Sequence, residues 1–264
     1  MQLFVRQYSG VSVTGRPLSQ QDAIMVASDI TMNQELNAEL TTEVQVWQQS
    51  ALVKQFSCNS AILLAVADGV SASPAASIAS RLVVKHLAFL WQGVTTQAGR
   101  LNSGMIRRCQ HCLTTQLGKK PTSYGASTTV AALEVADGRF KAINAGDSRV
   151  WRYRQGVLEQ LSVDHCFAQE LQPEPGQQLA QCYQALTSYL AADPDAEDFV
   201  VSVTEGTIQQ GDQFLLTTDG IHDEVPKEAL TQCLALGEAG AEALTRLLSQ
   251  FQFDDNASLL WLCT

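Results

Sequence analysis

The sequence predicts an α+β fold, with two antiparallel β-sheets packed face to face and helices on both outer faces. Three observations lead there. Short apolar or alternating runs follow one another with turn dipeptides (ADG, GD, QG) between them, as antiparallel strands require. Helical periodicities are collected in separate blocks, whereas βαβ units would alternate them with single strands. The run Ala61–Asp68 (AILLAVAD) is apolar at consecutive positions, so that strand must be covered on both sides.

In chain order, Leu3–Ser9 and Asp22–Asp29 read as strands, separated by a stretch containing Gly and Pro. Residues 30–57 carry Gln, Asn, Thr and Glu with weak periodicity and fit helix or strand equally. After the buried strand at Ala61–Asp68, Ser73–Pro74 reads as an N-cap and first-turn pair. The helix it opens has apolar residues at Ile78, Leu82, Val83 and Leu87, and a second helix covers Leu101–Leu117. Four strands then read as a meander (STTVAALEV, RFKAINA, SRVWRYR, GVLEQLS). Asp164–Ala196 reads as loops and short helices. DFVVSVTEG and DQFLLTTDG read as a hairpin through Gly206–Asp212, followed by a last helix (GEAGAEALTRLLSQF) and a last strand (ASLLWLC). There is no internal repeat or linker, so 1–264 is expected to be one domain.

Composition narrows the function. With 264 residues, 45% hydrophobic, the chain can bury a full core. A formal charge of −10 argues against nucleic acid, which needs clustered Lys and Arg. No apolar run reaches membrane-spanning length and the first residues do not read as a signal peptide, so the expectation is a cytoplasmic protein without a membrane partner. The seven scattered cysteines suit free thiols. Cys109, His111 and Cys112 in CQHC have no second ligand pair for zinc and read as residues of a helix.

The tetrapeptide VADG occurs twice. Between two alternating strands, Asp137–Gly138 reads as a plain hairpin turn. Asp68–Gly69 instead ends a buried strand and precedes a helix, where an acid is costly without a partner. More acids share that situation: Asp147 and Asp219 follow apolar strands, Asp223 follows Asp219, Asp254 and Asp255 precede the last strand, and Asp22 precedes an early one. A converging set of carboxylates and carbonyls without His or Cys selects hard cations such as Mg²⁺ or Mn²⁺.

The ordered motifs QQDA, VADG, GASTTVAAL, NAGDSRVW, LSVDH, LLTTDGIHDEV and DDNASLLWL resemble those of the metal-dependent serine/threonine protein phosphatases of type 2C, in a bacterial form. The resemblance runs from about Arg16 to the C-terminus. It implies that Asp68 bridges two Mg²⁺ or Mn²⁺ ions, that Gly69 lends a carbonyl, and that Asp219 and Asp255 complete the first metal's ligands. It puts Asp22 where metal-bound water is oriented, Asp147 and Asp223 at a third, weaker metal site, and Arg16 on the substrate phosphate. The implied reaction is attack by a metal-bridging hydroxide on phosphoserine or phosphothreonine in a protein, opposing a serine/threonine kinase, by a monomer. Residues 166–196 correspond to the family's flap. Gln21 stands where the family has Glu, and Val70 where animal members have His. These departures keep a second reading open: a catalytically silent module that binds a phosphoprotein or signalling partner. His222 reads as a packing or surface residue, with proton donation to a leaving group as its alternative role, His165 as structural, and Ser127 and Thr128 as backbone supports beside the site.

Overall fold

The computed structural model describes residues 1–8, 18–28, 52–55, 61–94, 100–171, 185–196 and 198–264. Arg16, and most of the segment left open as helix or strand, lie outside them. The elements are β1 (Gln2–Tyr8), β2 (Ala23–Ser28), β3 (Leu52–Gln55), β4 (Ile62–Ala67), α1 (Ala76–Gln92), α2 (Ser103–Leu117), β5 (Ser127–Thr128), β6 (Val130–Ala136) and β7 (Arg139–Ala145). They continue with β8 (Arg149–Arg154), β9 (Val157–Gln160), α3 (Phe167–Leu171), β10 (Leu190–Ala191), β11 (Ser202–Thr207), β12 (Gln213–Thr217), α4 (Asp219–His222), α5 (Lys227–Leu234), a 3₁₀ turn, α6 (Gly240–Leu248) and β13 (Ala257–Cys263).

Four layers result. One sheet runs β3-β1-β13-β12-β8-β9 and the other β11-β7-β6-β4-β2, with every pairing antiparallel. The strand period of two divides β4 between two cores. Ile62, Leu64 and Val66 face the other sheet, where they meet Phe214, Leu216 and Leu260. Leu63 and Ala65 face α1 and α2. That double burial is why the run is apolar throughout. On the far side, Trp151, Leu215 and Trp261 of the six-stranded sheet are covered by Leu230 and Leu244 of α5 and α6.

Asp137 and Gly138 have φ of 50° and 69°, the left-handed pair a two-residue hairpin needs. Two expected pairings are corrected. The four-strand meander is two hairpins in different sheets: β6–β7 in one, β8–β9 in the other. The chain changes sheet at Gly146–Ser148, where Gly146 has φ 109° and a Cβ would lie 2.6 Å from Thr129. Likewise β11 and β12 are not a hairpin. β11 pairs with β7 at the edge of one sheet, and β12 lies between β8 and β13 in the other. Alternation records which residues point inward, and in a sandwich both sheets point inward at the same core.

The expected cap of α1 is also corrected. Its N-cap is Ala75 at φ 53°, with no side-chain cap bond. Ser73 Oγ instead accepts from Ser127 N at 2.9 Å, which ties the loop after Gly69 to β5. α2 starts at Ser103, with Asn102 Oδ1 accepting from Met105 N (3.2 Å). Cys109 and Cys112 sit buried on its inner side, as the helical reading required.

Candidate active site

Antiparallel pairing brings the strand-end acids to one end of the sandwich. β2 and β4 are neighbours with Ala23 opposite Ala67, so Asp22, before one strand, lies beside Asp68, after the other. β6 begins and β7 ends at that same end, which brings Asp147 there. In the facing sheet Thr217 pairs with Leu259, so Asp219 follows β12 where Asp255 precedes β13. Asp223 caps α4, one helical turn after Asp219.

The backbone of this end is tightly held. Asp68 O accepts from Thr128 Oγ1 (2.7 Å) and Thr129 N (2.8 Å), and Asp68 N donates to Thr129 Oγ1 (3.0 Å). Thr128 thus supports the strand end, as expected, Ser127 holds the loop after it through Val70 N, and Thr129 adds a support the sequence reading did not name. Thr129 Oγ1 and Ser148 Oγ are 2.7 Å apart, linking that support to the Gly146 corner. His165 secures the same corner: its Nδ1 accepts from Gly146 N at 3.1 Å, and its Nε2 lies 2.8 Å from Ser202 Oγ. A Cβ at Gly69 would stand 2.7 Å from Ala76 O and 2.9 Å from Gln21 O. Both obstacles are backbone, so Gly69→Ala is expected to cost about 1–3 kcal/mol of stability. Thermal unfolding checks this, and an unchanged midpoint would show that the turn yields freely.

Asp22 bridges the sheets. Its Oδ2 accepts from Thr218 Oγ1 (2.9 Å) and Ser258 Oγ (2.7 Å), while its buried Oδ1 has no hydrogen-bond partner. Burial pushes this carboxyl up to about 6, against the neighbouring Asp68 carboxyl and the hydroxyls of Ser258 and Thr218, and aided by the charge of Asp255. Burial also raises Asp68 and Asp219 well above the usual carboxylate range. Asp68 is raised further by Asp219, Asp22 and Asp147, and Asp219 by Asp147, Asp22 and Asp255. Asp147 is pushed up to about 6 by burial and Asp164, with Asp223 adding to the effect. Asp223, exposed at the rim, is raised by what desolvation it has and lowered by Arg149.

The carboxylates therefore repel one another, and protons or cations must offset that repulsion. Donor chemistry fits Mg²⁺ or Mn²⁺: carboxylates and carbonyls, an orphaned buried oxygen on Asp22, and a Gly at position 69 whose neighbours leave no room for a side chain. Among the described residues, no three His, Cys, Asp or Glu side chains already stand as a closed metal cage.

A sign follows for pH. Asp22 and Asp147 bind protons more tightly folded than unfolded, so their contribution to stability is present near pH 4 and is lost as pH rises through about 6. In EDTA the melting temperature is expected to fall across that window, and millimolar Mg²⁺ or Mn²⁺ to restore it at pH 7. A flat profile in EDTA would show that the repulsion is relieved in some other way.

Two residues beside the site had no role in the sequence reading. Arg149 binds Asp164 through Nε (3.1 and 2.9 Å) and Nη2 (2.6 Å), and this pair flanks Asp147 and Asp223. The signal was in the motifs GDSR and VDH, a base and an acid whose pairing no spacing rule announces. His222 has the packing role expected. It is half-buried, its Nδ1 lies 2.9 Å from Thr217 Oγ1, and its ring meets Trp151 edge-on. Burial and then Arg149 hold its pKa well below the usual value, so it is neutral near pH 7.

A sequence model of protein phosphatase 2C matches residues 47–252. The chain belongs to the protein phosphatase 2C family. The match leaves Arg16, Asp22 and Asp255 outside its bounds. Among curated proteins, this phosphatase 2C chain is 30% identical over 193 residues to the serine/threonine protein phosphatase PstP of Mycobacterium tuberculosis, covering 70% of this chain and 36% of that one. It is 28% identical to the protein phosphatase PhpP of Streptococcus pneumoniae (60% and 67% covered) and 26% identical to the serine/threonine phosphatase stp of Listeria monocytogenes (75% and 82%). The match thus spans about a third of the mycobacterial relative's length. Among solved structures, the mycobacterial phosphatase PstP/Ppp superposes with a TM-score of 0.71 at 23% identity, covering 99% and 98% of the two chains. A bacterial serine phosphatase superposes at 0.75 with 17% identity over 99% and 96%. These likenesses establish the fold, two antiparallel sheets between helical layers.

Proposed function

We propose that this chain hydrolyses phosphoserine and phosphothreonine in proteins by direct, metal-dependent attack of water. The observation that carries the reading is the gathering of Asp22, Asp68, Asp147 and Asp219 at one end of the sandwich, each carboxyl raised by burial and by its acidic neighbours. Membership of the phosphatase 2C family supports it, as does the similarity to serine/threonine phosphatases of Mycobacterium tuberculosis and Listeria monocytogenes.

In this reading Asp68, the Gly69 carbonyl, Asp219 and Asp255 would hold two Mg²⁺ or Mn²⁺ ions, and Asp147 with Asp223 would hold a third. Such ions supply a water of lowered pKa and positive charge opposite the phosphoryl oxygens. Asp22 contributes a fixed acceptor. Thr218 and Ser258 occupy its Oδ2, which leaves Oδ1 as the oxygen that would accept from a water. Neutral His222 is not the proton donor to the leaving Ser or Thr oxygen, so solvent fills that role. Arg16 is the proposed grip on the phosphate, and the natural counterpart is a serine/threonine kinase. Residues 166–196 are the proposed flap.

The test is phosphate release from a phosphothreonine peptide with Mn²⁺, with Mg²⁺ and with EDTA. Turnover that needs metal is expected. Folded protein without turnover under any metal would instead mark a silent module that binds a phosphoprotein or signalling partner.

A further inference from the structure

The chain's charges are unevenly placed, and the unevenness falls on one face. From Gly69 to Leu133 the sequence holds seven of its 17 Lys and Arg and none of its 27 Asp and Glu. This stretch builds α1 and α2, whose inner sides cover the five-stranded sheet. Their outer sides carry Arg81, Lys85 and Arg108, all exposed, and none of these enters the ion pairs found among the described residues. Burial, and then the charge of Arg108, lowers the pKa of His86, which puts the outer sides of the two helices within range of each other.

The same side of α1 exposes large apolar groups. Ile78 is 51% exposed and Phe89 71%, and the positions 78, 81, 85 and 89 recur at helical spacing. Phe89 stacks on the His86 ring with centroids 6.1 Å apart. A basic strip with apolar side chains at intervals therefore runs along α1. The N-terminal end of α1 abuts the acidic site, since Ala76 O is the nearest atom to a Cβ at Gly69.

We propose that the outer face of α1 and α2 docks an acidic segment of a partner polypeptide, with carboxylates on Arg81, Lys85 and Arg108 and an apolar side chain on Phe89. Charge complementarity selects the class of partner, and width selects within it. Two helices side by side offer a face roughly 20 Å across. An anionic bilayer or a nucleic-acid duplex extends past such a face and meets a chain whose 27 Asp and Glu all lie outside the stretch Gly69–Leu133. A single polypeptide segment meets the basic strip alone.

The test reads binding without turnover, so it stands apart from the proposed hydrolysis. A fluorescent peptide of Glu residues with one central Phe is titrated by anisotropy, beside the same peptide with Lys for Glu. The acidic peptide is expected to bind and to weaken as salt is raised. Affinity should fall by roughly tenfold in Arg81→Glu/Lys85→Glu/Arg108→Glu and by several-fold in Phe89→Ser. Arg81→Gln/Lys85→Gln, which removes charge without reversing it, should give an intermediate loss. Equal affinity for parent and charge variants would overturn the proposal. So would sedimentation with phosphatidylglycerol vesicles that depends on these three residues while the peptide goes unbound.

Discussion

Asp219→Asn is expected to remove most phosphate release from a phosphothreonine peptide, by about 10²–10³-fold, while leaving the metal-free protein as stable as before or more so. The two effects have one cause. Asp219 is half-buried near Asp147, Asp22 and Asp255, and its charge is disfavoured by desolvation and by all three. Asn removes the charge and keeps the shape, so repulsion in EDTA drops. The Gly220 N–H bond to Oδ1 (2.7 Å) can be kept by the amide oxygen, so α4 should still start in place. What is lost is the negative charge a cation requires. Paired assays check this: phosphate release with Mn²⁺, and thermal unfolding in EDTA. Retained turnover would remove Asp219 from the proposed metal set. A lower melting temperature in EDTA would show that the carboxylate serves the fold as well as the chemistry.

Trp91→Ala is expected to cost about 3–5 kcal/mol of unfolding free energy. Trp91 is fully buried at the end of α1, where that helix meets the five-stranded sheet. Its indole Nε1 donates to Glu134 Oε1 at 2.6 Å, and the Arg100 guanidinium lies 4.7 Å over its ring. Glu134 is itself buried on β6 and also accepts from Arg100 N (3.2 Å) and Leu101 N (3.3 Å). The substitution therefore opens a cavity and removes the shortest of three bonds to a buried carboxyl. Trp91→Phe separates these terms: most of the packing remains, and about 1–3 kcal/mol should be lost through the missing donor. Denaturant unfolding measures both. A loss for Phe as large as for Ala would assign the whole effect to the hydrogen bond.

Much of the site was legible in the sequence because an acid at the end of a buried strand is a local feature. Asp68 after AILLAVA and Asp219 after FLLTT stand out from neighbouring residues alone. The pairing of Arg149 with Asp164 was not legible. The partners are 15 residues apart on either side of the β8–β9 hairpin, and only the fold of that hairpin shows their ends meeting. Ser73 misled for a related reason. A Ser–Pro before a helix is a good local cap, yet its hydroxyl is taken by Ser127, 54 residues away. The basic face of α1 and α2 was spelled out in the sequence by the lack of acids from Gly69 to Leu133, but the helical register was needed to show that Arg81, Lys85 and Phe89 point outward together.

By itself, the sequence determined the burial of the strands it marked out, such as β4 and β12, the hairpin at Asp137–Gly138, the order of the motifs and the acids at strand ends, because periodicity and turn chemistry act between near neighbours; β3 and β10 were not marked out. Only the tertiary structure decided which sheet each strand joined. β7 and β8, and β11 and β12, are adjacent in the chain and part company because both sheets offer the same apolar interior. That choice is what sets Asp22 and Asp68 across from Asp219 and Asp255. Joined by Thr218 and Ser258 to Asp22, the two sheet ends become one acidic site.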